Sequence, residues 1–309
     1  MAWSGGLDST VLLHLLWCAR GLPRARLAVR ALHVDHGLQP AARDFHLFCV
    51  RTARDWGVPL AVLRARVPLP RGASVEQAAR EARRAVLAAA LAPGELLLTA
   101  QQADDQLETL LLALLRGAGP AGLAGMPAAM PFAHSRLLRP LLDCGRAELA
   151  RYARAQGLAW IDDPTNDATR FDRNYLRARV VPLLRSRWPA AARTAGRSAR
   201  HCATAAQALQ QAAARDLALA ADGADLEVAV LRRWSPQRRA TALRAWILAA
   251  GARAPNERHL REIDVMLAAR SDARPELRLP DFTLRRQGGR LRIDVRAAAG
   301  AVAGGASIC

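Results

Sequence analysis

The chain has 309 residues, of which 51% are hydrophobic, and a formal net charge of +18. That length holds two domains with cores of their own, the apolar share excludes a disordered chain, and no run nears the roughly 18 apolar residues of a membrane-spanning helix. A balance this basic points to a polyanionic partner, nucleic acid first, because clustered cations gain affinity by releasing counterions from a phosphate backbone.

The first half alternates short β-branched or Leu-rich runs with helical spacing, the pattern of a parallel sheet covered by helices on both faces. Ser9 to Arg20 reads as an apolar helix closed by Gly21, Leu27 to Val34 as a strand, Ala41 to Trp56 as a helix stopped at Gly57, and Val58 to Val67 as the next strand. Ser74-Val75-Glu76-Gln77 supplies a capping box for a helix running to about Ala92. Glu95 to Thr99 is a buried strand, Asp104 to Arg116 the following helix, Leu137 to Leu142 a last strand, and Arg146 to Gln156 its helix. The pattern changes at Trp188-Pro189. Ala190 to Ala221 is an Ala- and Arg-rich helix, followed by helices over Pro236 to Ala250 and Asn256 to Arg270 and a hairpin over Glu276 to Val295 turning at Gly288-Gly289. The Ala/Gly-rich tail cannot bury itself and is expected to be disordered. The domains expected are therefore 1–189, 190–296 (mainly helical) and the 297–309 tail.

The five cysteines are scattered, with no C-x-x-C pair to hold zinc or an iron–sulfur cluster, and the opening residues lack the basic and apolar regions of a secretory signal. A cytoplasmic protein with reduced thiols is expected. All 45 basic residues are Arg, which in so Ala-rich a chain looks like the coding bias of a GC-rich genome. Such a bias leaves the excess of base over acid untouched.

Ser4-Gly5-Gly6-Leu7-Asp8-Ser9 precedes the first helix directly. Two glycines let successive backbone N–H groups converge on phosphate oxygens, and the helix N-terminus adds partial positive charge. Ser4, Ser9 and Thr10 offer hydroxyl donors, and Asp8 can hold magnesium against a pyrophosphate. A Walker A loop is excluded, since it needs a Lys that this chain lacks. Read alone, the six residues are also a Gly-Gly turn with a helix cap.

Further motifs follow in order: His33-Val34-Asp35-His36-Gly37 at a strand end, Asp104-Asp105-Gln106-Leu107-Glu108-Thr109 opening a helix, Arg116-Gly117-Ala118-Gly119 after it, Arg139-Pro140-Leu141-Leu142, then Asp162-Asp163-Pro164-Thr165-Asn166, Arg173-Asn174 and Arg177. Ser-Gly-Gly-x-Asp-Ser before a helix resembles the pyrophosphatase loop of the N-type ATP pyrophosphatase superfamily. The ordered series resembles the tRNA(Ile)-lysidine synthetase family from about Ser4 to Pro189, and more weakly to about Val295.

The resemblance implies a doubly wound parallel α/β domain of the adenine nucleotide alpha hydrolase type, with ATP and Mg2+ as cofactors. It implies ATP-dependent ligation of free lysine to carbon 2 of the wobble cytidine of tRNA(Ile) with a CAU anticodon, through an adenylated cytidine, giving lysidine, AMP and pyrophosphate. A homodimer is one assembly it allows. Ser4, Gly5, Gly6, Leu7, Asp8 and Ser9 would bind the nucleotide, with Asp8 on magnesium, and Asp8, Asp35, Asp105 and Glu108 would carry the chemistry. Asp105 or Glu108 would accept the proton of the attacking amine. Arg80, Arg83, Asp104, Arg116, Gly117, Asn166, Arg173 and Arg177 would contact substrate. Each group also has a plainer reading: acids at a helix start complement its dipole, arginines on a helix make a solvated face, and a glycine run is a loop.

Three departures stand out. Only Met1-Ala2-Trp3 precede the loop, so either the start lies upstream or the central strand is too short to pair well. Gln102 stands where relatives often carry His, which removes a proton or metal partner. Long relatives also carry a further tRNA-binding domain, and without it tRNA binding would be weaker or differently shaped. The rival readings are a tRNA thiolase of the same superfamily, which commonly needs the paired cysteines missing here, and a non-catalytic RNA-binding homologue.

Overall fold

A computed structural model of the chain describes residues 1–23, 27–35, 42–66, 75–162, 171–270 and 273–296. The expected Ser74 cap, His36, Asn166, Arg170 and the 297–309 tail lie outside these residues. The chain divides into two compact units, Met1–Ala203 and Thr204–Cys309. The first contains α1 (Leu7–Arg20), β1 (Ala31–Asp35), α2 (Ala42–Trp56), β2 (Leu60–Arg64), α3 (Val75–Ala90), β3 (Leu97–Leu98), α4 (Ala103–Leu115), α5 (Pro120–Leu123), β4 (Ala129–Phe132), β5 (Ser135–Leu138), α6 (Arg146–Ala155), α7 (Asp172–Tyr175), a π-helical turn Leu176–Val180, and α8 (Val181–Arg187). The long α9 (Ala191–Ala220) begins in this unit and ends in the next.

The Met1–Trp3 segment, expected to pair poorly, bonds to both of its neighbours. The Ala2 N–H donates to the Leu98 carbonyl at 2.9 Å, the Trp3 N–H to the Leu32 carbonyl at 2.8 Å, and the Leu32 N–H to the Met1 carbonyl at 2.8 Å. Three residues thus join the parallel pair β1–β2 to β3–β5–β4, giving the order β2, β1, Met1–Trp3, β3, β5, β4. Side chains alternate across a strand, and this segment shows it: Met1 and Trp3 enter a core with α1, α2 and α6, whereas Ala2 enters a second core with Leu87 of α3 and Leu91 just after it. Helices therefore cover both faces, as the α/β alternation implies. Trp3 is 1% exposed, and its indole N–H donates to Thr10 Oγ1 at 3.1 Å, which ties the segment to the first turns of α1.

The strands are shorter than their apolar runs, and β4 was not legible in the sequence. Pro131 lies inside β4 and reads as a strand breaker, yet among the described residues β4 is an edge strand paired only to β5, where a missing N–H costs nothing. The glycine-rich segment after α4 is also more ordered than a loop. It contains α5, and Gln106 brackets its end by donating to the Met126 carbonyl (2.9 Å) and accepting from the Met126 N–H (2.7 Å).

The second unit holds β6 (Ala221–Asp222), β7 (Asp225–Glu227), α10 (Val228–Arg232), α11 (Pro236–Ala249), α12 (Glu257–Ala268), β8 (Glu276–Arg278), β9 (Phe282–Gln287) and β10 (Arg290–Val295). The hairpin turning at Gly288-Gly289 forms as β9–β10, and β7 and β8 extend it to an antiparallel sheet in the order β6, β7, β10, β9, β8. Its core joins Leu284 and Leu291 of the sheet to Leu243, Ile247, Ile263 and Leu267 of α11 and α12. Arg286, 6% exposed, donates to the carbonyls of Met266, Leu267 and Ala269, so one guanidinium satisfies the end of α12.

Thr10, read from the sequence as a hydroxyl donor to phosphate, instead faces inward and accepts from Trp3. Thr10→Val should leave the indole N–H unpaired in the core and lower the unfolding free energy by about 1–3 kcal/mol. Thr10→Ser, which keeps the acceptor, should restore most of it in urea titrations.

Candidate active site

The loop Ser4–Gly6 leaves the sheet at its middle, where the chain order reverses between β1 on one side and β3 on the other. In open α/β sheets this is where ligands bind. Gly5 has φ of +87°, a backbone angle that favours glycine, and a Cβ there would crowd Cys49 Sγ at 3.2 Å and a Phe48 ring carbon at 3.3 Å. Its carbonyl accepts from the Ile161 N–H at 3.0 Å. Ser9 closes the loop from inside, donating to the Gly6 carbonyl (3.0 Å) and lying 3.0 Å from Ser4 Oγ. Beneath the loop, the buried His33 has its Nδ1 3.1 Å from the Trp3 carbonyl, and burial holds its pKa below the usual imidazole range.

A cleft of about 380 Å³ opens at the loop. Of the residues expected at the site, Ser4, Gly6, Leu7, Asp8, Ser9, Arg83, Asp105, Arg173 and Arg177 line it. Gly5 shapes the loop from behind. Asp35 ends β1, where its carbonyl accepts from Ala65, and Arg80 is exposed on α3; neither lines the cleft. Arg116 and Gly117 end α4, with the Arg116 Nε donating to the Leu112 carbonyl. At 1.5 Å per residue that end is about 16 Å of helix from Asp105.

The three acids of α4 differ in exposure, although Asp105 and Glu108 share Arg173 and Arg177, the latter donating to Asp105 Oδ1 at 3.1 Å. Gln102 caps the helix by accepting from the Asp104 N–H at 2.7 Å, while Asp105 accepts from the Gln102 N–H at 3.1 Å. Gln102 thus has structural work where a proton or metal partner was expected missing. Asp104 faces away from the cleft, taking the Arg146 N–H at 2.9 Å and pairing with Arg185. Glu108 is 1% exposed; Arg173 Nε donates to it at 2.8 Å, and Arg177 donates at 2.7 and 3.0 Å to its two oxygens. Asp105 alone of the three borders the cleft, 16% exposed, and burial raises its pKa against the opposing charge of Arg173.

Arg146, Phe45, Thr99, Gln101, Ile161 and Asp162 also line the cleft. Arg146 was missed, although a signal existed: a cation as the first residue of a helix opposes the dipole and needs an anion nearby. That anion is Asp8, 3.6 Å away. Burial pushes the Asp8 carboxyl up to about 6, despite Arg146, and its Oδ1 has no hydrogen-bond partner among the described residues. Magnesium in phosphate chemistry is held by one or two carboxylates together with the substrate's phosphates. A bare Asp8 oxygen with Asp105 nearby fits that ion, and no cluster of three or more His, Cys, Asp or Glu able to hold a metal occurs among the described residues. Arg83 adds a half-buried cation without an ion pair among them, its pKa lowered by burial and then by Arg80.

Residues 1–184 match the family described as the PP-loop domain, and residues 226–292 match the TilS substrate binding domain. A tRNA(Ile)-lysidine synthase of Pseudomonas aeruginosa is 46% identical over 314 residues, covering 97% of this chain and 70% of that protein. The chain belongs to the tRNA(Ile)-lysidine synthase family. The synthase of Pseudomonas putida is 46% identical over 94% of this chain and 69% of its own length, and that of Yersinia pseudotuberculosis (strain IP 31758) is 46% identical over 93% of this chain. The chain spans 64% of the length of that Yersinia relative. The structure of the U34-tRNA thiolase NcsA from Methanococcus maripaludis with its [4Fe-4S] cluster aligns with a TM-score of 0.55 at 17% identity, over 65% of this chain and 70% of that one; it shows the shared fold. No described helix of this lysidine synthase family member is long and apolar enough to cross a membrane.

The raised pKa of Asp8 makes the cleft costly to the fold. The folded chain keeps this proton up to about pH 6, whereas the unfolded chain releases it near 3.8, so stability falls as pH rises through that interval and stays lower above it. Asp8→Asn should therefore raise stability at pH 7.5 by about 1–3 kcal/mol, and the gain should vanish by pH 4. Thermal unfolding of both proteins across this range measures it.

Proposed function

We propose that this chain ligates free lysine to carbon 2 of the wobble cytidine of tRNA(Ile) with a CAU anticodon, consuming ATP and releasing AMP and pyrophosphate. The observation that carries the reading is the cleft itself: a glycine loop at a helix N-terminus, one bare carboxylate oxygen on Asp8, and the cations Arg83, Arg146, Arg173 and Arg177 around it. That is an arrangement for a triphosphate and its metal. The relatives' names supply the tRNA and the product, and the net charge of +18 suits an RNA substrate.

In this reading Ser4–Ser9 hold the phosphates by backbone N–H groups, so that the cytosine carbonyl oxygen meets the α-phosphate in line. Asp8 would hold Mg2+, which, when bound, supplies positive charge to the departing pyrophosphate. Arg146 and Arg83 neutralise the remaining charge. The lysine amine attacks only when neutral, and Asp105 takes its proton. Glu108 is a positioning residue, because it is buried behind Arg173 and Arg177 and does not line the cleft. Asp104 likewise positions α6 and Arg185. Residues 1–189 form the catalytic domain and 190–296 the domain that holds substrate tRNA. Cys18, Cys49, Cys144 and Cys202, free among the described residues, suit a reducing cytoplasm.

Pyrophosphate release should require tRNA and ATP, and mass analysis of the nucleosides should find lysidine only when lysine is added. Release without any modified base, or RNA binding with no release at all, would refute the reading. Asp105→Asn should slow lysidine formation by about 10²-fold or more while its fold, followed by circular dichroism, stays intact.

A further inference from the structure

Arg139 follows β5, and its Nε is buried with no hydrogen-bond partner among the described residues. Its other nitrogens are placed: one donates to the Pro127 carbonyl at 2.7 Å, the other lies 3.5 Å from Met130 Sδ. Arg84 of α3 stacks over the ring of Phe132, 5.1 Å from its centroid. Met130 and Phe132 are two apart on β4, positions about 7 Å apart along one strand face, and enter the same core, so each guanidinium is anchored at one of two neighbouring side chains. Neither arginine has a carboxylate partner among the described residues. Burial, and then the charge of Arg84, lowers the pKa of Arg139.

Two like charges held together without an acid are a standing cost unless an anion joins them. The reason they meet lies in α3. Its buried stripe is Leu87, with Leu91 just after the helix, over the sheet, and one turn earlier, where the core ends, the stripe becomes Arg83 and Arg84. Arg83 lines the cleft; Arg84, its neighbour in sequence, faces Phe132 instead. Arg139 sits at the same end of the sheet as Thr99, which also borders the cleft, because β3 and β5 are parallel and in register.

We propose that Arg84 and Arg139 form a second anion subsite, beside the triphosphate cleft, which grips a backbone phosphodiester of the RNA next to the base being modified. The inference rests on the RNA substrate proposed above. A phosphodiester offers two free oxygens to two guanidinium groups, and the pairing of Arg84 with Phe132 keeps its side chain in place before RNA arrives. Such a contact fixes the register of the strand and leaves base identity to the cleft.

The test is tRNA binding by the full chain over a range of salt concentrations, in parallel with ATP binding without RNA, for the wild type, Arg84→Gln, Arg84→Lys and the Arg84→Gln/Arg139→Gln double variant. Neutralising one phosphate contributes about 0.7–0.9 to the slope of log affinity against log salt. The double variant should lose about that much slope, Arg84→Gln alone should lose most of it because both groups serve one phosphate, Arg84→Lys should keep it, and ATP affinity should not change in any of them. Arg84 is exposed, so its variant tests the site even where loss of the Arg139–Pro127 bond unfolds the double variant, which thermal melting reveals. An unchanged slope in Arg84→Gln against a steep wild-type slope overturns the subsite and spares the proposed function. A loss of ATP affinity also overturns it, by assigning the arginines to the triphosphate. A wild type that binds no tRNA overturns both.

Discussion

A carboxylate at 1% exposure cannot stand alone, and the pairing of Glu108 with Arg173 and Arg177 is the interaction on which the candidate site depends. The two arginines come from α7 and the π-helical turn behind it, 65 and 69 residues along the chain from Glu108. By holding that segment against α4, the pair closes one wall of the cleft. It also decides which acid is left for chemistry. With Glu108 saturated and Asp104 turned to Arg185 and the start of α6, Asp105 is the one acid of α4 that borders the open space, with Arg177 at 3.1 Å beside it. The π turn that carries Arg177 belongs to a class of helix irregularity concentrated at functional sites.

The opposite situation holds at Asp8. Its side chain is 20% exposed, yet its ion-pair partner Arg146 sits at 3.6 Å and leaves Oδ1 without a hydrogen bond among the described residues. The fold thus spends stability on a group it does not satisfy, as sites that await a charged ligand commonly do. The same logic, with the sign reversed, describes Arg83 and the Arg84–Arg139 corner, where cations lack acid partners among the described residues. Unbalanced charge of both signs within one end of a sheet is what a metal–triphosphate and an RNA backbone would together neutralise.

Much of this was legible from residues alone, for identifiable reasons. The glycine loop was visible because Gly5 needs a positive φ and Gly6 starts a helix, constraints that are local. The β9–β10 hairpin was visible because Gly288-Gly289 is a two-residue turn signal. β4 was hidden because Pro131 is tolerated only at an edge, and edge position is a property of the sheet. Arg146 was hidden because its partner Asp8 is far away in sequence. Thr10 was misread because its partner Trp3, though only seven residues away, reaches it through the turn of the loop into α1, which the sequence does not show. Met1–Trp3 looked too short for a strand because pairing on both sides, which lets three residues suffice, depends on β1 and β3 being present.

The sequence by itself determined the α/β alternation, the phosphate loop, the order of the motifs and the basic charge, since each follows from local backbone preference, hydrophobic period or composition. The tertiary structure decided which acid faces the cleft, which hydroxyl turns inward, and where arginines gather without acids. Those outcomes depend on desolvation and on partners that the fold brings together, and the energy of a buried charge is set by what surrounds it in space, which no local stretch of sequence records.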